Sequence, residues 1–166
     1  MISINQSDAF KKYCVSQTHT QRTFYKKCGA TDEILKIVDL NNKRFGSFAE
    51  DYIRENFELG PRTSVENDAT VLGRKIEIKS ARRSGKNGRY FYQHIQLDYD
   101  YDFLLTTLLE PSGEFVCNIF KKEDILPHLK KQGKNANQGY TLDQNIVGTY
   151  GHKIHTYKDL QQFILK

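Results

Sequence analysis

The sequence has no apolar stretch approaching the length of about 18 residues that a membrane-spanning helix needs. Its first twenty residues also lack the apolar core and the small-residue cleavage site of a secretory signal. There are three cysteines, an odd number at irregular spacing, which favours free thiols in a reducing compartment over a disulfide framework. We therefore expect a cytoplasmic protein that has no contact with membranes.

Several ligand sites are missing from the sequence as well. No glycine-rich phosphate loop of the Walker or dinucleotide type is present, so we expect no nucleotide cofactor. Cys14, His19 and Cys28 do not follow zinc-finger spacing. Residues 98–103 (DYDYDF) alternate acids with aromatics, but they lack the glycine and the closing glutamate of a calcium loop. A solvated strand edge is the better interpretation of that segment.

Positive charge is in excess, and its distribution is more informative than the net value of +5. One basic cluster spans residues 79–89 and is interleaved with Ser, Gly and Asn. It contains Lys79, Arg82, Arg83, Lys86 and Arg89. A second basic stretch covers residues 130–140 (KKQGKNANQGY). Both patterns predict loops that can follow a phosphate backbone, although charge runs are more often simply solvated surface.

The N-terminal third is expected to be helical. Ser7 or Asp8 is placed to cap a first helix ending near residue 15, and Gly29 would stop a second. Thr31 is a good N-cap for a short third helix. Apolar residues at helical spacing predict a fourth helix over residues 47–57.

The rest of the chain predicts strands and short helices in alternation. We expect strands at residues 65–72, 75–79, 103–109 and 114–120, and helices at residues 122–129 and 157–165. Residues 90–96 fit either a helix or a strand, and residues 133–151 are expected to form loops. This order predicts a single α/β domain over residues 1–166, with a mixed central sheet and helices on both of its faces.

The strongest candidate for chemistry is the expected hairpin in the segment NDATVLGRKIEIK, residues 67–79. If Leu72-Gly73 forms a two-residue turn, Val71 pairs with Arg74 and the register of the hairpin is fixed. Asp68 then lies directly opposite Glu77, with β-carbons about 5 Å apart.

Lys79 follows Glu77 by two residues and therefore emerges on the same face of the strand, while Ile76 and Ile78 point into the core. Two facing carboxylates repel each other unless a proton or a cation lies between them. Hard oxygen ligands select Mg²⁺ or Mn²⁺ over zinc. A neighbouring ammonium can orient water and stabilise charge on a phosphate. The pattern fits phosphodiester hydrolysis, and it also fits a surface strand whose charges form salt bridges.

This segment resembles the catalytic motif of the PD-(D/E)XK nuclease superfamily, in which Asp68, Glu77 and Lys79 match the two acids and the lysine. The resemblance implies that the two carboxylates and the carbonyl of Ile78 hold Mg²⁺, for which Mn²⁺ can substitute. Asn67 stands where the motif has its proline, a position at which the family often varies.

Flanking segments extend the resemblance over residues 44–125. The stretch FGSFAEDYIREN resembles the first core helix of the family, so that Glu50 matches a glutamate directed toward the metal. The stretch FYQHIQLDYDYDFLLTTLL resembles a restriction-enzyme segment with glutamines near the site, here Gln93 and Gln96. The resemblance implies a restriction-endonuclease-like core over residues 44–125 and leaves both ends unassigned. From the residues themselves we expect a helical part at residues 1–43, a candidate dimer interface, and loops with a final helix at residues 126–166.

The implied function is site-specific, Mg²⁺-dependent cleavage of double-stranded DNA by a homodimer, as in type II restriction endonucleases. Two alternatives remain: a structure-selective nuclease such as a Holliday-junction resolvase or repair nuclease, and a DNA-binding protein without catalysis. The residues expected to contact DNA are Arg82, Arg83, Lys86, Arg89, Gln93 and Gln96.

Overall fold

A computed structural model describes residues 16–134 and 138–166 of the chain. The helix expected within residues 7–15, and Cys14 with it, lie outside these ranges. None of the helices in the described ranges is both long and apolar enough to cross a membrane.

The N-terminal part contains three helices whose ends follow local capping rules. They are α1 (Ser16–Lys27), α2 (Asp32–Val38) and α3 (Asn42–Asn56). Gly29 adopts φ 87° after α1, and the Thr31 hydroxyl accepts a hydrogen bond from the Ile34 amide at 3.4 Å, as predicted. Helix α3 begins at Asn42 rather than at residue 47, because the Asn41 side chain caps it by accepting from the Arg44 amide at 2.9 Å.

The remaining elements include the strands and helices that the sequence predicts, together with several that it does not predict. In chain order they are β1 (Ala69–Val71), β2 (Arg74–Arg82), β3 (Phe91–Ile95), β4 (Phe103–Leu109), β5 (Phe115–Lys121), α4 (Lys122–Ile125), a 3₁₀ turn (Leu126–His128), β6 (Lys130–Lys131), β7 (Tyr140–Asp143), α5 (Gln144–Tyr150), β8 (His152–Ile154) and α6 (Tyr157–Ile164). The loop expected over residues 133–151 is therefore wrong for β7 and α5, and the ambiguous residues 90–96 contain a strand.

The main sheet is mixed and five-stranded, in the order β1-β2-β4-β5-β8. Strands β2 and β4 are parallel, and the other neighbours are antiparallel. This confirms the expected α/β class with a mixed sheet flanked by helices. We expected the β1-β2 hairpin at the centre of the sheet, but β1 is an edge strand. It is also shorter than the strand predicted over residues 65–72.

The two faces of the main sheet are covered differently. Helices α3 and α6 pack on one face through Ile53, Phe57 and Leu160, which join Ile76 and Ile78 of β2 in the core. The opposite face is covered mainly by a second sheet in the order β3-β7-β6, with α4 and α5 at its margins. The expectation of helices on both faces is therefore incomplete. The second sheet could not be predicted, because its strands pair with partners far away in the chain and the glycine- and asparagine-rich residues 133–139 that precede β7 favour a loop.

Helices α1 and α2 close one end of the main sheet. Tyr25 is fully buried with Leu35, Val38 and Leu109. Its hydroxyl donates to the Leu109 carbonyl at 2.6 Å and accepts from the Arg83 amide at 3.0 Å, tying together the chain just after β2 and the end of β4. Burial raises the pKa of the Tyr25 phenol to about 12, so it remains neutral at physiological pH.

Candidate active site

The hairpin that carries the candidate site has the predicted turn. Leu72 and Gly73 adopt φ of 49° and 74°, the left-handed conformations that a tight two-residue turn requires. The paired residues are Val71 and Arg74, Thr70 and Lys75, and Ala69 and Ile76. The ladder ends at Ala69, and Asp68 lies just outside β1, so the predicted pairing of Asp68 directly opposite Glu77 is not part of the observed register.

Asp68 is fixed where β1 separates from β2. Its amide donates to the Ile76 carbonyl at 2.8 Å, and its carboxylate Oδ2 accepts from the Ile78 amide at 2.7 Å. The amide and carbonyl of one strand residue point to the same side of the strand. The Ile78 carbonyl is therefore directed toward the same edge as the Asp68 carboxylate. Arg54 of α3 donates to the Asp68 carbonyl at 3.1 Å and anchors this corner.

Glu77 and Lys79 form a close pair on the neighbouring strand. The Glu77 side chain is nearly buried, and its Oε1 lies 2.6 Å from Lys79 Nζ. The pKa of Glu77 is raised to about 7, chiefly because its side chain is buried; Lys79 opposes this shift and the Asp68 carboxylate adds to it. Glu77 is therefore a carboxylate for which a proton and a cation compete near neutral pH.

Glu50 of α3 belongs to the same electrostatic environment. Burial raises its pKa, the charge of Asp68 adds to that effect, and Arg54 and Lys79 act against it. Within residues 16–134 and 138–166, no three His, Cys, Asp or Glu side chains are arranged as a ligand group for a metal. Two carboxylates, those of Asp68 and Glu77, could instead bind a metal together with the Ile78 carbonyl. These hard oxygen donors fit Mg²⁺ or Mn²⁺.

Asn67 has a structural function that the sequence alone did not reveal. Its side chain is fully buried. Its Oδ1 accepts from the Thr63 amide at 3.1 Å, and its Nδ2 donates to the hydroxyls of Thr63 at 2.8 Å and Ser64 at 3.2 Å. These bonds hold the loop that delivers Asp68. Asn commonly makes such local bonds to its own loop, and that preference was the available sequence signal.

Arg82, one of the expected DNA contacts, has its guanidinium hydrogen-bonded to other residues of the protein. Its Nη1 donates to the carbonyls of Val38 and Leu40 at 2.7 Å each, and its Nη2 donates to Asn42 Oδ1 at 2.6 Å. The guanidinium also lies 4.6 Å from the centre of the Phe45 ring. These contacts join the end of β2 to the α2–α3 connection, so the geometry gives Arg82 a structural role.

Arg83 is held in the same manner. Its Nε and Nη2 bind the two oxygens of Glu110 at 2.8 and 2.5 Å, and its Nη1 donates to the Gly88 carbonyl at 2.7 Å. The guanidinium lies 5.2 Å from the centre of the Tyr90 ring. This bidentate pair fixes the loop between β2 and β3 and uses the donors that a phosphate would need.

The other four expected DNA contacts are distributed around β3. Lys86 and Arg89 are exposed in the loop before β3, and Gln93 is exposed on the strand itself. Gln96 follows β3 and is partly buried beside Gly139. The structure therefore keeps Lys86, Arg89 and Gln93 accessible to a partner.

Glu77 gives the metal-free protein an expected pH dependence. Folding raises the pKa of this acid from 4.5 to about 7. The folded state therefore favours the protonated form, and the associated stability is complete below pH 4.5 and lost as the pH rises through 7. The loss amounts to ~3 kcal/mol. Glu77→Gln stays neutral, so its free energy of unfolding should exceed that of the wild type at pH 8 but not at pH 4. Urea unfolding in EDTA measures the free energy of unfolding of both proteins at each pH. If the stability of the wild type increased relative to that of Glu77→Gln as the pH rose, the raised pKa of Glu77 would be contradicted.

The Asp68 and Glu77 carboxylates, the Ile78 carbonyl and the Lys79 ammonium are thus grouped where β1 separates from β2. Contacts from β2 and α3 fix Asp68, while Glu77 and Lys79 are paired on β2 itself. The sequence matches no protein-family model, and no curated protein is detectably similar to it.

Proposed function

We propose that this chain is a Mg²⁺-dependent endonuclease that hydrolyses phosphodiester bonds of double-stranded DNA at a specific sequence, in the manner of a type II restriction enzyme. The observation that carries the proposal is the grouping of the Asp68 and Glu77 carboxylates, with Lys79 Nζ 2.6 Å from Glu77 Oε1. A surface strand with ordinary salt bridges would leave Glu77 solvated. Here it is 4% exposed, with a second carboxylate beside it.

The carboxylates of Asp68 and Glu77 and the carbonyl of Ile78 would hold the metal ion. When bound, a divalent cation at such a site polarises the phosphate and lowers the pKa of a coordinated water. Mn²⁺, which also prefers oxygen ligands, would substitute. The raised pKa of Glu77 supports this assignment, because a buried acid next to a second acid gains most from a nearby cation.

The remaining groups act on the water and on the phosphate charge. Lys79 would orient the attacking water and stabilise the negative charge that grows on the phosphate oxygens. Glu50, with its pKa raised by burial and by Asp68, would accept a proton from that water. The Ile78 amide keeps the Asp68 carboxylate in place throughout, since it donates to Oδ2.

The choice of duplex DNA and of a specific sequence rests on charge and on the resemblance given above. The net charge of +5 favours a polyanion, and Lys86, Arg89 and Gln93 are exposed for backbone and base contacts. A homodimer would place one site on each strand of a two-fold symmetric target.

Incubation of the purified protein with plasmid DNA tests this proposal. Discrete fragments should appear with Mg²⁺ or Mn²⁺ and disappear when EDTA is added. Cleavage restricted to four-way junctions would retain the nuclease and replace sequence selectivity by structure selectivity. Uncut DNA that nevertheless shifts in a gel would contradict catalysis and leave a DNA-binding protein.

A further inference from the structure

The two basic segments of the sequence, which are 40 residues or more apart, belong to one small sheet. The first segment ends at Arg89 and leads directly into β3, and the second begins with β6. Strand β7 joins them, because it pairs with β3 on one side and with β6 on the other. Tertiary structure thus combines two separate charge clusters around a single three-stranded surface.

The outer face of this second sheet is polar, basic and solvated. Tyr92, Ile95 and Leu142 point inward and are buried against the main sheet. Phe91 is 52% exposed, Gln93 is exposed beside it, and the Lys130 side chain is 76% exposed. This face therefore presents one aromatic ring beside amide and ammonium groups.

A local irregularity in β3 adds to this face. His94 has φ 58°, and the register of β3 with β7 shifts between Tyr92 and Ile95. Such a bulge re-aims side chains and is often found at functional surfaces. Consequently the consecutive residues Gln93 and His94 are both exposed to solvent, whereas the alternation of a regular strand would bury one of them.

The charge of this surface is strongly one-sided. Lys86, Arg89, Lys130 and Lys131 are exposed around it. Among the residues of β3, β6 and β7, Asp143 is the only one with a carboxylate side chain. Its Oδ1 accepts from two amides that begin α5, and its Oδ2 lies 3.5 Å from Lys130 Nζ. The acid is thus partly neutralised, and the surface is complementary to a polyanion.

The second sheet lies on the same side of the main sheet as the Glu77 and Lys79 side chains. The sheet packs on the face of the main sheet that contains Leu104 and Ala81. Ala81 follows Glu77 and Lys79 at two-residue steps along β2, so these side chains share that face. Strand β3 is the member of the second sheet that lies against β2.

We infer that the outer face of β3-β7-β6, together with Lys86 and Arg89, is the surface that binds the DNA duplex. The inference rests on the proposed function for the identity of its ligand. The cations contact phosphates of the backbone, while Phe91 and Gln93 reach the base edges of one groove, as β-sheet readers of DNA do. Arg82 and Arg83 stabilise the fold behind this surface and do not contact DNA.

The salt dependence of binding tests this surface independently of cleavage. Fluorescence anisotropy with a labelled duplex in EDTA gives the slope of log K against log salt. Lys130→Gln combined with Lys131→Gln should reduce that slope by about 2, because each phosphate contact contributes about 0.9. The matched control, Lys153→Gln combined with Lys158→Gln, removes the same charge from β8 and α6 and should leave the slope unchanged.

Phe91→Ala combined with Gln93→Ala should instead reduce the preference for a cleavable sequence over a scrambled duplex, with little change in slope. Equal slopes for the two double-lysine variants would overturn the assigned surface even if the wild type cuts DNA. Tighter binding to single strands than to duplex would overturn the assigned ligand. A wild type that neither binds nor cuts DNA would remove the proposed function together with this inference.

Discussion

Lys79→Met is expected to lower the rate of DNA cleavage by about 10³-fold, on the order of 4 kcal/mol in the activation free energy. Methionine keeps the length and apolar stem of the side chain but removes the ammonium that lies 2.6 Å from Glu77 Oε1. Charge on the phosphate then loses its stabilising partner. Glu77 also loses the group that lowers its pKa, so it remains protonated to higher pH and becomes a poorer metal ligand.

Single-turnover cleavage of a plasmid across pH 6 to 9 measures this effect. The activity that Lys79→Met retains should rise at higher pH than that of the wild type, because Glu77 deprotonates later. Lys153→Met, the same substitution on β8 at the opposite edge of the sheet, should cut at the wild-type rate. A Lys79→Met protein that cuts within tenfold of the wild type would show that the catalytic ammonium lies elsewhere.

Asp68→Asn is expected to lower the rate of DNA cleavage by about 10³-fold, as Lys79→Met does. The same substitution should make the metal-free protein more stable above pH 7. Asparagine retains an oxygen that accepts from the Ile78 amide, so the corner of the hairpin is preserved. The change removes a negative charge that raises the pKa of both Glu77 and Glu50. Relief of that repulsion should contribute about 1 kcal/mol to the free energy of unfolding.

Thermal unfolding in EDTA at pH 5 and pH 8, together with cleavage assays in Mg²⁺, separates the two consequences. The gain in stability should appear at pH 8 and vanish at pH 5, where Glu77 is protonated in the folded state. Mg²⁺ should raise the melting temperature of the wild type but not that of the variant. Glu114→Asn, an exposed acid in the β4–β5 turn, should change neither property. Loss of stability at pH 8 in Asp68→Asn would indicate that the hydrogen bond outweighs the repulsion.

The main features of the candidate site were predictable because they depend on short-range geometry. A two-residue turn fixes the register of the strands on either side of it, and Gly73 marked that turn. Side chains alternate along a strand, so Glu77 and Lys79 had to share a face. The capping residues Thr31 and Gly29 were recognisable for the same reason, since their partners lie within a few residues.

The sequence by itself thus determined the hairpin register, the caps and most of the strand positions. Tertiary structure alone decided that Glu77 is buried beside β4, that Arg82 and Arg83 are occupied within the fold, and that residues 140–143 form a strand between β3 and β6. Each of these outcomes depends on partners far away in the chain, such as Val38 for Arg82 and Glu110 for Arg83. Local propensity carries no information about such partners, because closing long loops becomes favourable only when the whole core packs.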